Sequence, residues 1–251
     1  MLISANLGFL FQEYTLPDAI RSARQAGFDA VECHWPFEVP SNEVRAALTE
    51  TGFSMLGLNT VRGAGMGLSA LPEHLVEARA AIEQAIAYAA AIGCKNVHVM
   101  AGLAEGTEAG ACFVKNLRYA ADLADGHGLT VLIEPLNTVD TPGYFLTSTD
   151  HALEIVGQVG ADNLKIMYDL YHMELMQGDH LATMRRLLPH IGHIQFASTP
   201  GRARPDLGNL DFAELLPEIE GLGYQGWFGA EYKPGTADDF GWLQEFRQRW
   251  D

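Results

Sequence analysis

A chain of 251 residues, 48% hydrophobic and 19% charged, carries ample apolar material for a sizeable core, which excludes a disordered chain. Sixteen basic against 32 acidic residues give a net charge of −16, a field that repels a phosphate backbone or an anionic bilayer, so neither nucleic acid nor a membrane is expected as a partner. Cys33, Cys94 and Cys112 are too few and too scattered for a disulfide framework or a finger-type metal site. No run approaches ~18 apolar residues, and residues 1–14 lack a basic leader and read as a strand, so a reducing, cytoplasmic location is expected.

Short β-branched or apolar runs recur at residues 2–6, 30–33, 54–59, 96–100, 129–134, 164–169, 191–197 and 226–231, eight in all. Amphipathic segments lie between them. Residues 16–26 close at Gly27, and residues 41–51 open at Ser41 as an N-cap and stop at Gly52. Residues 72–93 put Leu75, Ala78, Ile82, Ala85, Ile86, Ala89 and Ile92 on one helical face, with Gly93 closing it. Helical segments at 109–127, 148–159, 181–190, 212–221 and 239–249 complete the alternation. Eight strand–helix units without a linker predict an α/β fold, a parallel sheet closed into a single (β/α)8 TIM barrel with residues 1–251 as one domain. An open doubly wound sheet is the alternative. It is weakened because Asn6-Leu7-Gly8-Phe9-Leu10 after the first strand offers no Gly-rich phosphate cradle.

Barrel chemistry gathers at the C-terminal ends of the strands. Strands five to eight deliver Glu134, Asp169, Gln195 and Glu231 there, separated by 35, 26 and 36 residues, each about one βα unit. Alternation aligns these with Leu132, Met167, His193 and Gly229, so apolar or small residues are expected to fill the layer beneath. Three converging carboxylates repel unless a cation or protons intervene. With an amide they form a hard all-oxygen set that suits Mg2+ or Mn2+ better than Zn2+. Taken singly, a Glu or Asp at a strand end is more often a helix N-cap or a surface partner; it is the set of four on neighbouring strands that points to a metal site. His193 and His98 read as core histidines, Trp35 as packing or pocket wall, and Asn59, ending strand three, as a candidate substrate-binding residue.

The segments Ile133-Glu134-Pro135-Leu136-Asn137, Tyr168-Asp169-Leu170-Tyr171-His172-Met173, Gly192-His193-Ile194-Gln195 and Gly229-Ala230-Glu231-Tyr232-Lys233-Pro234 resemble the hydroxypyruvate isomerase family, a branch of the xylose-isomerase-like barrels. The similarity runs nearly end to end. It implies a divalent metal, Mg2+ or Mn2+, held by Glu134, Asp169, Gln195 and Glu231, with Glu134 and Glu231 also serving as the catalytic proton-transferring pair. Moving a carbonyl to the adjacent carbon passes through an enediolate, which needs a base, an acid and a Lewis acid. His172 resembles a histidine that contacts a substrate oxygen in related barrels. Arg202 is a candidate fork for a substrate carboxylate and Lys233 a second cation, with Arg62 also near the pocket mouth.

Two loops depart from the family. Residues 59–68 lack its Gly-Glu-Arg-Gly run, and Arg204-Pro205-Asp206-Leu207-Gly208-Asn209 stands where it tends toward Glu-Pro-Gly-Thr-Gly-Glu. Both line the pocket mouth, so the small hydroxy-carbonyl substrate stays open. Hydroxypyruvate to tartronate semialdehyde leads; isomerisation of 2-oxo-tetronate or epimerisation of a short ketose is the alternative. An endonuclease-like hydrolase is disfavoured by Gln195 and the charge of −16, and a non-catalytic sugar- or metal-binding barrel by the intact Glu134 and Glu231. Assembly into a homo-oligomer is left open.

Overall fold

The computed structural model describes residues 1–63, 65–235 and 240–250. Its parallel strands are β1 (Ile3–Asn6), β2 (Ala30–Glu32), β3 (Gly57–Asn59), β4 (Asn96–His98), β5 (Thr130–Ile133), β6 (Leu164–Asp169), β7 (Ile191–Phe196) and β8 (Phe228–Ala230). They pair in the order β2-β1-β8-β7-β6-β5-β4-β3. The two ends of that order meet through Val31 N–H to Ser54 O, Leu56 N–H to Val31 O and Cys33 N–H to Gly57 O, which closes the expected barrel. Around it lie α1 (Leu16–Gln25), α2 (Ser41–Thr51), α3 (Leu75–Ile92), α4 (Gly106–Asp125), α5 (Thr149–Val159), α6 (Leu170–Met176), α7 (His180–Leu187), α8 (Phe212–Gly221) and α9 (Gly241–Trp250).

Local chemistry accounts for the helix ends. Thr15 caps α1 by accepting the Asp18 N–H, and Pro17 sits in its first turn. The helices α2, α3 and α5 stop at left-handed Gly52, Gly93 and Gly160. Along α3 the stripe from Ala78 to Ile92 is buried as expected, while Leu75 is only half-buried.

Three local expectations change. Ser41 lies inside α2, whose cap position is Pro40 with no side-chain hydrogen bond. Residues 54–56 stand outside β3, Met55 making only an isolated bridge to Val31. The short α6 was not expected; it starts because Asp169 Oδ1 accepts the Tyr171 N–H at 2.8 Å. Asp239, expected in the last helix, and Ala64 in the third loop lie outside the described residues.

Aromatic contacts of Trp242 with Phe28, Phe196 and Tyr232 tie α9 to the barrel wall. The layer beneath the C-terminal rim is not apolar as expected: Ser4, Glu32, His193 and Gln195 are buried there together. Gly229 makes room for this polar floor, since a Cβ on it would sit 2.0 Å from Glu32 Oε1. Among the described residues no helix is long and apolar enough to cross a membrane.

Candidate active site

A cavity of about 510 Å3 opens at the C-terminal ends of the strands and is lined by Glu134, Glu231, His172, Arg202, Lys233 and Asn59. Asp169 and Gln195 are buried beside it, 1% and 3% exposed, without lining it. A larger open groove of about 990 Å3, between α4 and α5, contains none of these residues.

Short strands place the carboxylates at one depth, Glu134 and Glu231 each one residue past β5 and β8, and Asp169 at the end of β6. Ligand atoms of Glu134, Asp169 and His172 lie within 4.8 Å of one another. Arg202 joins the remaining carboxylate to this group. Its Nη2 donates to Asp169 Oδ2 at 2.6 Å and to Glu231 Oε2, and its Nε donates to the Glu231 carbonyl at 2.8 Å. Phe9 and Tyr171 hold the guanidinium between their rings, at 5.1 and 5.0 Å from the centroids. Arg202 therefore stands among protein carboxylates, where an exposed fork for substrate was expected.

His172 is more constrained than the sequence indicates. Its Nδ1 accepts the Asn137 N–H at 3.0 Å, so a neutral ring carries its proton on Nε2. Arg202 Nη1 approaches that same Nε2 at 2.9 Å, donor facing donor. The carboxylates around Arg202, rather than a hydrogen bond, hold this contact together.

Burial drives the titration of the cluster, and its neighbours set the sign. Desolvation, then repulsion from Glu231 and Asp169, raises the Glu134 carboxyl well above its ordinary range. Burial also lifts Asp169 to about 6 against the pull of Arg202. For Glu231, burial pushes upward, but Arg202 and the hydrogen bond from His34 outweigh it and bring the group down to about 2. Burial holds His98 and His172 at about 3, so both imidazoles are neutral near pH 7.

Five residues outside the predicted set, Glu32, His34, Asn6, Asp140 and His98, belong to the site. Glu32 accepts from Gln195 Nε2 at 2.9 Å and from Ser4 Oγ at 3.0 Å, which fixes the Gln195 amide and leaves its Oε1 buried without a hydrogen-bond partner among the described residues. Glu231 Oε1 receives His34 Nε2 at 2.8 Å and Asn6 Nδ2 at 3.0 Å. Asp140 accepts from Tyr171 Oη at 2.7 Å and Asn137 Nδ2 at 3.0 Å beside the cavity. His98, expected as a satisfied core histidine, has no hydrogen-bond partner on either nitrogen among the described residues. The expected core role of His193 matches its burial and its 3.2 Å contact with Glu32. A signal for Glu32 and His34 existed: Glu32 closes β2 and His34 follows it by two residues, toward the end of the barrel where its chemistry gathers.

The xylose isomerase-like TIM barrel model matches residues 20–246. A 2-oxo-tetronate isomerase of Cupriavidus necator is 41% identical, with 98% of each chain covered. The hydroxypyruvate isomerase of Escherichia coli K12 is 37% identical over 97% of this chain and 98% of its own. Among solved structures, one described as an AP endonuclease, family 2, from Brucella melitensis superposes with a TM-score of 0.93 at 33% identity, covering 98% of both chains. With the fold, the rim carboxylates and these similarities in agreement, the chain belongs to the xylose isomerase-like TIM barrel family.

Proposed function

We propose that residues 1–251 act as one barrel domain that isomerises a small hydroxy-keto acid, either hydroxypyruvate or its four-carbon homologue 2-oxo-tetronate. The observation that carries this is one cavity lined by both Glu134 and Glu231 and by three cations, Arg62, Arg202 and Lys233. Arg62 and Lys233 form no ion pair among the described residues, so both are available to an incoming carboxylate. Relatives named 2-oxo-tetronate isomerase and hydroxypyruvate isomerase, matched along nearly their whole length, support the substrate class.

In this reading Glu134 and Glu231 share the proton transfer. One carboxylate oxygen takes a proton from the hydroxyl-bearing carbon and the other carboxyl returns one to the former carbonyl carbon, while the hydroxyl proton passes to the former carbonyl oxygen, with roles exchanged in the reverse direction. Asn6 and His34 orient Glu231, and burial of the cluster excludes bulk water from the enediolate. His172 lines the same cavity and, with Asn59, serves as a substrate contact.

The donor set fits a divalent cation, Mg2+ or Mn2+. Glu134 Oε1 and Gln195 Oε1 are buried oxygens without hydrogen-bond partners among the described residues, and Asp169 and Glu231 already gather a cationic group, the Arg202 guanidinium. Glu134, Asp169, Gln195 and Glu231 would hold the ion, which supplies Lewis-acid polarisation of the substrate oxygens when bound. A reducing, cytoplasmic setting belongs to the same reading, supported by three free cysteines.

The test is solvent proton exchange. In D2O with Mg2+ the purified protein should introduce deuterium into hydroxypyruvate or 2-oxo-tetronate, followed by NMR, and Glu231→Gln should abolish it while the fold persists. Failure to exchange any hydroxy-carbonyl acid overturns the proposal. The charge of −16 weighs against a nuclease activity of the kind named for the Brucella protein, and no salt-sensitive retention of abasic-site DNA is expected.

A further inference from the structure

The cavity holds one buried polar side chain that the proton-transfer scheme leaves unused. His98 closes β4, is 2% exposed and lines the cavity. Both of its ring nitrogens lack a hydrogen-bond partner among the described residues. Glu134 Oε2 stands 3.6 Å from Nδ1, past hydrogen-bond reach. Buried polar atoms in folded proteins are almost always paired, so an imidazole orphaned on both sides at a ligand cavity marks a place where a ligand atom completes the pairing.

We propose that His98 determines specificity by binding a hydroxyl group one carbon beyond the reacting pair, so that the site selects a four-carbon 2-oxo acid over the three-carbon one. This rests on the isomerase reading above. In a three-carbon hydroxy-keto acid every polar group has a use: the carbonyl and the adjacent hydroxyl react, and the carboxylate faces Arg62 and Lys233. Nothing is left for His98. A four-carbon acid adds one hydroxyl. A neutral imidazole offers one N–H and one bare nitrogen, and a hydroxyl can accept from the first or donate to the second, whereas a carboxylate can only accept. The lining is mixed, with Met66, Met100 and Leu136 beside the polar Asn59 and Thr141, and about 510 Å3 leaves room for the added carbon.

The experiment compares wild type, His98→Leu and His98→Asn on two pairs of acids. Turnover is measured with hydroxypyruvate and 2-oxo-tetronate. Binding is measured by calorimetry with the unreactive hydroxy acids glycerate and erythronate, three and four carbons long. The wild type should favour the four-carbon member of each pair by at least about tenfold, because a shorter acid leaves the imidazole unpaired. His98→Leu should erase that preference, weakening the four-carbon acid about 10–100-fold while changing the three-carbon acid less than about threefold, and His98→Asn should restore part of it. Equal losses on both lengths would overturn the proposal, showing that a water serves His98 or that it merely packs Glu134. So would an unchanged preference in His98→Leu. Should neither keto acid turn over while the erythronate preference persists and depends on His98, the isomerase reading fails and the His98 pairing stands.

Discussion

Replacing Gly229 by alanine drives a methyl group into space that Glu32 occupies. The new Cβ would lie 2.0 Å from Glu32 Oε1 and 2.9 Å from both Glu32 Cδ and His193 Nε2. The backbone cannot retreat, because β8 is bonded on both sides, to β1 and β7. The Glu32 carboxylate must move instead, away from Ser4, His193 and Gln195. Overpacking costs about 1–3 kcal/mol, and each buried donor stranded by the displaced carboxylate adds about 1–3 kcal/mol. With one donor stranded the total is about 2–6 kcal/mol, which for a chain of this size lowers Tm by roughly 4–24 °C. Glu32→Ala alone strands all three donors, at about 3–9 kcal/mol, but removes the atoms that collide. The double variant Glu32→Ala/Gly229→Ala should therefore be more stable than the sum of the single losses by at least about 2 kcal/mol. Urea unfolding followed by circular dichroism measures all four proteins, with the midpoint compared at constant slope. Additivity within about 0.5 kcal/mol would refute the claim that Glu32 fills the space above Gly229.

Three further outcomes follow from the same geometry. A Cβ on Gly8 would meet the His34 ring at 2.2 Å, so Gly8→Ala should push His34 off Glu231 and lower kcat by about tenfold with the circular dichroism spectrum intact; an unchanged kcat would remove His34 from the positioning of Glu231. Burial holds His180 below its ordinary value against the pull of Glu174, so the folded state binds fewer protons than the unfolded chain. Its stabilising contribution is complete above about pH 6.5 and is lost as pH falls toward the depressed folded value, by at most about 1.4 kcal/mol per unit; His180→Gln should flatten the fall in urea midpoint between pH 7 and 5, and an identical slope would refute this. Dialysis against EDTA should abolish turnover and Mn2+ should restore it, while Mn2+ at 100 times its Kd should add about 2.7 kcal/mol of stability; a Tm insensitive to the ion would contradict a cation among these carboxylates.

The barrel was legible because both faces of each strand are buried, which turns a strand into a short apolar run distinct from the amphipathic segments around it. Its rim was legible for the same reason, since Glu134, Asp169 and Glu231 interrupt such runs at their ends. Pair contacts were not legible. Glu32 follows Ala30-Val31 like any strand terminus, and only the parallel register, Ser4 beside Ala30 and Asn6 beside Glu32, shows it buried next to Gly229. Arg202 reads as a solvated loop residue until the loop after β7 folds inward and Phe9, 193 positions away, supplies one of the two rings that enclose it. The Asp169 side chain has two uses at once, capping α6 through Oδ1 and binding Arg202 through Oδ2, so cap and site were never exclusive alternatives.

The charge of −16 is distributed unevenly, and its buried part has a consequence for binding. Glu32, Glu134, Asp169 and Glu231 are buried in the barrel with one buried guanidinium, Arg202. Four carboxylates against one cation leave an excess of negative charge in a medium that solvates it poorly. That crowding is what pushes the Glu134 carboxyl well above its ordinary range, toward its neutral form. An anionic substrate brings another, opposed among the described lining residues by Arg62 and Lys233. A divalent cation reverses that balance, so the cation and the acid should each tighten the other. Linkage requires the two factors to be equal: the Kd of glycerate measured with and without Mn2+ should fall by the same ratio as the Kd of Mn2+ measured with and without glycerate. A glycerate affinity indifferent to the ion would place the acid outside the field of these carboxylates, and with it the substrate.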